Sequence, residues 1–535
     1  MAVAVAILVA APWLDERLVW CGWIGVAAGL LVVDKIRGWW GEACVFVAAA
    51  VALGIAFHWT PKSLAAAMES DFSRGVAVAI PIILWDAIRL AAPFWFASRI
   101  GARPTAAWLP AGLAACALEA VWPSVFPWKL GYSQVAWPWL VQSVDLLGPE
   151  AATFAFFAHA GALVWLLHAT RLVGVTAAPP AAGGRLMSPG IAAVVVCLLN
   201  DLYGLAALAA WHAKIAAAPK IDVALVQASP GADDGFAALQ RLTAARRAAS
   251  PAPDLVCWPE CSGGVFDARL DSLADRERLA AWSRPGAGGT LLTEVPFGPL
   301  LLGGIVHEGH PDHPAALRQS AVLVDAAGAI RGRYDKRHLM PFGEYVPLAE
   351  LWPDLRRQFP DADDFSPGRD ATVLRGDGPA RLGVMLCYED MVPAAARSLV
   401  RNAANVLVVL INGAAFTSDL TLRQHRMLAQ LRAVECRRAL LRCAATGQTC
   451  VVSPLGTVAA TLPLGGPDRL DAQVPLLDGL TPAVRAGPLF PALCGVVAVW
   501  LAARRAAGAV PWSRFGRGTA AAKPSQADGP GSFQA

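Results

Sequence analysis

Residues 334–347 read YDKRHLMPFGEYVP, and this stretch places Lys336 behind a strand-like apolar run and its hairpin. Two other stretches follow the same pattern with different chemistry. LVCWPE ends on Glu260, and RLGVMLCYED carries Cys387 at the point where an apolar run turns polar. The ends of strands in an α/β sheet face the mouth where ligands bind. A carboxylate, an ammonium and a thiol are therefore predicted to meet at such a mouth.

These three groups suffice for acyl transfer through a thioester. A free thiol has a pKa of about 8.5, and its thiolate is the nucleophile. Lys336 can favour the thiolate of Cys387 and, with a backbone N–H, stabilise the oxyanion at the attacked carbonyl. Glu260 can take the thiol proton and return it to the leaving group, so the cycle needs neither a metal nor a cofactor. A lone cysteine is more often a buried structural residue. The presence of Glu260 and Lys336 at similar strand ends favours a catalytic role for Cys387.

The composition indicates an integral membrane protein with one large extramembrane domain. The chain has 535 residues, of which 56% are hydrophobic and 16% are charged, and its mean hydropathy is +0.46. Soluble chains carry about 25% charged residues, and a bilayer core requires about 20 apolar residues per helix. Eight spans are predicted near residues 2–14, 17–34, 43–58, 75–98, 105–125, 150–170, 189–212 and 488–503.

These spans divide the chain into four predicted regions. Residues 1–212 form an N-terminal membrane domain of seven helices, and residues 213–486 form the extramembrane domain. Residues 487–504 form a C-terminal transmembrane helix. The tail 505–535 is rich in Gly, Ala, Ser and Pro and is predicted to be disordered and cytoplasmic.

Lysine and arginine in short loops predict the orientation, because they concentrate on the cytoplasmic side. Lys62 and Arg74 fall on the side of the extramembrane domain, but most fall on the opposite side of the eight-span arrangement. The latter are Lys35, Arg37, Arg99, Arg103, Arg171, Arg185, Arg504, Arg505, Arg514, Arg517 and Lys523. Both termini are therefore predicted to be cytoplasmic and the large domain extracytoplasmic. The net charge of +4 indicates no nucleic-acid-binding surface.

The extramembrane domain is predicted to be an α/β fold with buried sheets. Strand-length apolar runs alternate with helical patterns, as in sheets that are covered by helices. The run NVLVVLI at residues 405–411 is typical of a strand buried on both faces. Strands are predicted at residues 222–227, 255–258, 290–295, 300–307, 321–324, 382–386, 406–411 and 450–453, and helices at 235–249 and 422–441.

The cysteines do not indicate a disulfide framework. Several of the eleven lie in predicted spans, where cysteine is usually a small apolar residue. Cys257 and Cys261 flank the Trp-Pro-Glu motif and could pair in an oxidising compartment. Neighbours at a strand end usually point apart, so this bridge is not favoured.

Three motifs resemble the nitrilase, or carbon–nitrogen hydrolase, superfamily. They are Trp258-Pro259-Glu260, the stretch 334–347 and Cys387-Tyr388-Glu389. Within the superfamily, the chain looks most like the apolipoprotein N-acyltransferase family, because the second motif is long and specific. The predicted arrangement of seven spans before the domain and one after it is similar to that family, as is the loop FPWKLGYSQ at residues 126–134. The resemblance covers nearly the whole chain except the tail.

The resemblance implies a multi-span α-helical membrane domain joined to a four-layer αββα sandwich. It also implies a catalytic triad and a set of residues that support the thioester. The triad is Glu260, Lys336 and Cys387, and the supporting residues are Glu344, Tyr388 and Glu389.

The implied reaction is a ping-pong acyl transfer. Cys387 takes a fatty acyl chain from a membrane phospholipid, and the α-amine of the diacylglyceryl-cysteine of an apolipoprotein then attacks the thioester. The implied partners are the phospholipid, the modified apolipoprotein and the membrane, with no nucleic acid, metal or cofactor. The implied location is the bacterial cytoplasmic (inner) membrane, with a periplasmic catalytic domain.

The chain departs from the family near the implied acyl pocket. The family usually has Asn-Asp-x-Trp-Phe where residues 412–416 read NGAAF, so Gly413 and Ala415 replace an acid and a tryptophan. Ala444 and Ala445 replace a Thr-Asn pair. These changes leave open a membrane-tethered amidase that acts on small amides or nitriles. A transporter or scaffold with an inactive domain is a third alternative, which the intact triad disfavours.

Overall fold

The computed structural model describes residues 2–170, 172, 188–228, 235–248, 251–262, 265–267, 299–310, 313–325, 330–359, 362, 365–414, 416 and 418–508. The predicted strand at 290–295, Ala415 and the predicted tail beyond residue 508 lie outside the described residues. The described chain forms a helical bundle, from residues 2–217 and 489–508, and an α/β part between them.

The bundle consists of apolar helices, which satisfy their own backbone hydrogen bonds and can therefore face lipid. Five are long and apolar enough to cross a membrane by length and composition, namely Trp39–Ala56, Phe72–Arg99, Glu150–Ala169, Pro189–Ala217 and Leu489–Ala506. Shorter helices are Ala2–Leu14, Val19–Leu31, Thr60–Ala67 and Trp108–Val121. Five predicted spans thus coincide with long helices, and the three near 2–14, 17–34 and 105–125 coincide with helices of 13 or 14 residues.

Between Trp108–Val121 and Glu150–Ala169, the chain folds back into the bundle in short helical turns. These turns are Leu130–Gln134, Pro138–Val141 and Val144–Leu147. Gly131 packs against the backbone of Thr153, where a Cβ atom would lie 2.3 Å from the Thr153 nitrogen, so only glycine fits. Tyr132 is buried and accepts a hydrogen bond from Arg432 of the α/β part at 3.1 Å.

The α/β part contains two sheets. Its described strands, numbered in chain order, are β1 (Lys220–Gln227), β2 (Leu255–Cys257), β3 (Val265–Asp267), β4 (Leu300–His310), β5 (His313–Val324), β6 (Ile330–Asp335), β7 (Val373–Arg375), β8 (Arg381–Leu386), β9 (Val406–Ile411), β10 (Leu440–Ala444), β11 (Cys450–Val452), β12 (Val458–Thr461) and β13 (Asp468–Pro475). The first sheet has the order β13-β1-β2-β4-β5-β6, with β3 beside β4, and the second has the order β12-β11-β10-β9-β8-β7. The centres of both sheets are parallel.

The two sheets pack face to face, with helices on both outer surfaces. Every second side chain of β1, β2 and β5 points toward the second sheet and packs in one core with side chains of β8, β9 and β10. The side chains between them point to the other face of the first sheet and pack under the helix Gly235–Ala248. Helices Pro393–Arg401 and Asp419–Cys436 cover the outer face of the second sheet. These four layers confirm the predicted αββα sandwich. All six residues of β9 are buried, as its unbroken apolar run predicts.

The helix predicted over residues 422–441 is wrong at its C-terminal end. The helix is Asp419–Cys436, and it ends because Arg437 adopts a left-handed conformation with φ of 51°. Glycine usually takes that position, so an arginine there gives no stop signal in the sequence. Its guanidinium is held by Asp145 Oδ2 of the bundle at 2.6 and 2.9 Å, and the chain then continues into β10.

The helix Asp419–Cys436 also joins the sandwich to the bundle. Gln424 donates hydrogen bonds to the carbonyl oxygens of Trp13 and Ala56, at the ends of two bundle helices, at 3.0 and 2.9 Å. It accepts one from Trp59 Nε1 at 2.8 Å. The last carbonyls of a helix lack partners within it, so these bonds supply them. The sandwich is thereby fixed over one end of the bundle.

Candidate active site

Three strand ends meet between the two sheets. Glu260 lies beyond β2 and Lys336 directly follows β6 in the first sheet, whereas Cys387 directly follows β8 in the second. Lys336 Nζ lies 3.6 Å from Glu260 Oε1, and the Glu389 carboxylate joins the two loops by accepting hydrogen bonds from the backbone N–H groups of Arg337 and Leu386, the neighbours of Lys336 and Cys387, at 2.9 Å each. Gly303 of β4 permits this close packing, since a Cβ atom there would lie 2.8 Å from Glu260 Cα. The structure thus brings together the three residues that their positions at strand ends predicted to meet.

Glu260 is a buried carboxyl group with a strongly shifted pKa. Its Oε2 accepts a hydrogen bond from the backbone N–H of Asn412 at 2.9 Å, and its Oε1 faces Lys336. Burial raises the pKa of Glu260 to about 7, against the opposing effect of the Lys336 charge. A carboxyl group with that pKa can both accept and return a proton near neutral pH.

Lys336 is a buried cation held between two carboxylates. Its side chain is 1% exposed and pairs with Glu260 and with Glu344 Oε1. Burial opposes the charge, but Glu344 and Glu260 outweigh it and raise the pKa of Lys336 well above its ordinary value. The other Glu344 oxygen accepts from the backbone N–H of Met340 at 2.9 Å. Lys336 is therefore positively charged near neutral pH and paired on two sides.

Cys387 begins a short 3-10 turn, Cys387–Met391, and is 7% exposed. Its φ of 43° lies in the left-handed region, which residues other than glycine rarely adopt. Burial, with Glu260 adding to it and Lys336 opposing it, raises the pKa of the thiol well above its ordinary value. The resting thiol is therefore protonated, and the thiolate forms only when a base removes the proton.

Glu389 fastens the turn of Cys387 to the loop of Lys336. Its two carboxylate oxygens accept hydrogen bonds from the Tyr334 hydroxyl at 2.8 and 2.9 Å. They also accept from the backbone N–H groups of Arg337, His338 and Leu386 at 2.9, 3.1 and 2.9 Å. Glu389 thus contacts both sheets and sets the separation of the thiol and the ammonium.

Tyr388 and Met391 face the helical bundle and pack in one apolar cluster with Trp128. Beside them is a small apolar cavity of about 30 Å³ at the junction of bundle and sandwich. It is lined by Phe57, Trp59, Phe126, Trp128, Met391, Phe416, Thr421, Gln424, His425 and Leu428. An apolar space therefore adjoins the turn that carries the thiol.

Four residues outside the predicted set also build the site. Asn412 holds Glu260 through its backbone, and it directly follows β9, so its strand-end position could have revealed it. Asp390 is buried and binds His425 Nε2 at 2.7 Å and Arg442 Nη1. These contacts join segments that are distant in sequence, and no local pattern predicts them. Among the described residues, no group of three or more His, Cys, Asp or Glu is arranged to hold a metal ion.

The departures from the family pattern have structural partners. The backbone N–H of Gly413 donates to Thr446 O at 2.8 Å, and a Cβ atom on Gly413 would lie 2.4 Å from that oxygen, so this position requires glycine. Ala444 ends β10, and Ala445 N donates to Ile411 O at 2.9 Å. The small residues at these positions therefore fit a close approach of two strand ends. Cys257 and Cys261 are both free thiols.

Two family models match the two parts of the chain. Residues 222–478 match the family described as carbon-nitrogen hydrolase, and residues 5–162 match the apolipoprotein N-acyltransferase N-terminal domain. The chain is 31% identical over 388 residues to the apolipoprotein N-acyltransferase of Geobacter metallireducens, covering 71% of this chain and 70% of that protein. It is 30% identical over 405 residues to that of Caulobacter vibrioides, with coverage of 71% and 70%. An amidase from Nesterenkonia sp. has a TM-score of 0.34 and 22% identity, covering 48% of this chain and 90% of that one.

Fold and sequence together define a carbon–nitrogen hydrolase domain carried on a bundle of apolar helices. The chain belongs to the apolipoprotein N-acyltransferase family, which confirms the resemblance drawn from the three motifs.

Proposed function

We propose that this protein transfers a fatty acyl chain from a membrane phospholipid to the N-terminal α-amine of S-diacylglyceryl-cysteine in apolipoproteins. Membership of the family supports the reaction, and the names of the relatives give the class of acceptor. The observation that carries the proposal is the Lys336 ammonium, paired with Glu260 and Glu344 in a loop that Glu389 ties to the turn of Cys387. These residues are proposed as the catalytic site, with Glu260, Lys336 and Cys387 as its triad.

In the first half-reaction, Glu260 removes the proton of Cys387 as the sulfur attacks the ester carbonyl of the phospholipid. The high pKa of the thiol couples these two events, because a free thiolate is scarce. Lys336 stabilises the oxyanion. Collapse breaks the ester C–O bond and leaves an acyl thioester, and Glu260 returns the proton to the departing lysophospholipid oxygen.

In the second half-reaction, the uncharged α-amine of the acceptor attacks the thioester carbonyl. Glu260 takes a proton from the attacking nitrogen, and Lys336 again stabilises the oxyanion. The C–S bond breaks, an amide forms, and the proton passes from Glu260 to the Cys387 sulfur. The enzyme is then back in its starting state, so one carboxyl group serves both halves of the cycle.

The arrangement of charges supports a location in the bacterial inner membrane with the sandwich in the periplasm. The helix Phe72–Arg99 has 28 residues. Arg74 in its first turn binds Gln358 of the sandwich, whereas Arg99 in its last turn pairs with Glu42. Arg99 therefore lies at the end of the bundle away from the sandwich, where Arg37 and Arg505 also lie, beside Gly101. An end of the bundle that is rich in arginine faces the cytoplasm. We also propose the four regions predicted from the sequence. They are the N-terminal membrane domain 1–212, the periplasmic domain 213–486, the C-terminal transmembrane helix 487–504 and the cytoplasmic tail 505–535.

We expect thioester formation to depend on pH through Glu260. Because the pKa of Glu260 is raised to about 7, its carboxylate fraction is lost as the pH falls through that value. The rate constant for acylation of Cys387 should rise tenfold per pH unit on the acid side and level off above about pH 7. Single-turnover acylation with a fluorescent phospholipid, followed across the range, measures this profile.

The control for that profile is Glu260→Gln, which keeps the size of the side chain but cannot accept a proton. Its rate should be low and lack the inflection near pH 7. A wild-type rate that is independent of pH through this range contradicts the role of Glu260 as the base.

Two measurements test the proposed function as a whole. Purified enzyme incubated with phospholipid alone should give a stable acyl adduct on Cys387, detected by intact mass. An apolipoprotein expressed with this protein should gain one acyl chain at its N-terminal peptide, and the peptide should lack it without the enzyme. Free fatty acid with no lasting adduct, together with an unmodified peptide, contradicts the proposal and favours a membrane-tethered amidase.

A further inference from the structure

The turn that carries the proposed nucleophile holds an unfavourable conformation. Cys387 has a φ of 43°, and an L-residue keeps such a conformation only when the surrounding structure imposes it. The chain provides two anchors, one at each of the acidic residues in the turn Cys387–Met391. Glu389 binds the loop of Lys336. The second anchor, Asp390, binds the second sheet and the helix that covers it.

Asp390 is completely buried, and each of its carboxylate oxygens is bound by one side chain. Its Oδ1 accepts a hydrogen bond from His425 Nε2 at 2.7 Å, and its Oδ2 accepts one from Arg442 of β10. A carboxylate only accepts, so His425 carries the proton on Nε2. Arg442 compensates the buried negative charge from within the sheet. His425 reaches Asp390 from a different element, the helix Asp419–Cys436.

His425 has a second set of contacts, in the apolar cavity. Its ring lines the cavity together with Met391, the last residue of the nucleophile turn. The ring of Phe416, another lining residue, lies 6.0 Å from the ring of His425, centroid to centroid. The adjacent Gln424 is bound to the ends of two bundle helices. His425 therefore connects the wall of the cavity, and a helix anchored on the bundle, with the turn of Cys387.

We propose that His425 is a positioning residue for Cys387. Its hydrogen bond to Asp390 holds the turn so that the sulfur points at the space beside Lys336 and Glu260. With Arg442 as its only partner, the Asp390 carboxylate could turn about one contact, whereas two donors from different elements fix its orientation and so this side of the turn. The effect on acyl transfer rests on the proposed function, but the effect on the reactivity of the thiol does not.

The experiment compares three variants of the full-length protein. His425→Gln places an amide N–H at about the reach of Nε2, His425→Asn is shorter by one methylene, and His425→Leu removes the donor but keeps the cavity wall apolar. Alkylation of Cys387 by iodoacetamide reports thiol reactivity without any lipid. We expect His425→Gln to stay near wild type and the other two variants to lose roughly 10- to 100-fold, as misplacement of a reacting group typically does.

A second measurement separates positioning from binding. Leu428→Ala enlarges the same cavity without touching Asp390, so it should change KM for phospholipid more than kcat. His425→Leu and His425→Asn should lower kcat for acylation with little change in KM. Equal alkylation rates in the His425→Gln and His425→Asn variants would overturn the proposal. This comparison tests the proposal even if His425→Leu does not fold. Absence of acyl transfer by the wild type, with these alkylation differences intact, contradicts the proposed function only.

Discussion

Replacing Cys387 with alanine is expected to abolish acyl transfer while the protein still inserts in the membrane. The sulfur is the atom that the mechanism requires to carry the acyl group, so no thioester can form without it. The loss should be at least about 10⁴-fold, as for other enzymes that lose their nucleophile. N-acylation of a co-expressed apolipoprotein, followed by the mass of its N-terminal peptide, measures it. Alanine also fits the space, because the side chain is small and buried.

Cys387→Ser is the matched variant, since it changes one atom. A hydroxyl loses its proton far less readily than a thiol, and Glu260 with a pKa of about 7 is a weak base for it. We expect activity only slightly above that of the alanine variant. Thermal unfolding in detergent should be close to wild type for both. Full N-acylation by Cys387→Ala would show that another group carries the acyl chain.

Replacing Lys336 with methionine should have the second-largest effect. The variant keeps a linear side chain of similar length but removes the only ammonium that the structure places between Glu260 and Glu344 among the described residues. Loss of one oxyanion donor typically lowers the rate by about 10²- to 10³-fold. Glu260 also loses the charge that opposes the rise of its pKa, so its proton affinity should increase further. Single-turnover acylation as a function of pH measures both effects.

Lys336→Arg controls for the charge itself. A guanidinium is planar and larger than an ammonium, and it does not fit a site in which Nζ is enclosed by two carboxylates. We expect this variant to acylate slowly because the charge is displaced from the position of Nζ, and to unfold at a lower temperature than wild type because the larger group overpacks a buried site. If Lys336→Met forms the thioester at the wild-type rate, Lys336 does not stabilise the oxyanion.

The convergence of the three candidate residues could be predicted from the sequence because it derives from a rule about sheets. Glu260, Lys336 and Cys387 each lie at or just beyond the end of a strand, and strand ends in an α/β fold face the mouth where ligands bind. The motif also carried Glu344, which the structure places on Lys336. Strand ends therefore suffice to predict that the first three side chains meet, whereas Glu344 was predicted only from the resemblance to the family.

The remaining features depend on contacts that the sequence does not encode locally. Arg437 stops a helix because Asp145, in a different part of the chain, holds its guanidinium. Asp390 meets His425 and Arg442 only after the sheet and its helix have packed. Strands β7, β12 and β13 have no strong apolar run, and their pairing with neighbours in the sheets defines them. Tertiary packing overrides local preference in each of these cases.

Gln424 has a consequence for how substrates are chosen. Because it caps the ends of two bundle helices, moving the sandwich relative to the bundle would strand bare carbonyl groups in a poorly hydrated layer. The position of the Cys387 sulfur relative to the ends of the bundle helices, and so to the lipid layer, is therefore fixed. For the proposed acyl transfer, we therefore expect the depth of the scissile bond in the lipid layer to select substrates in addition to their shape.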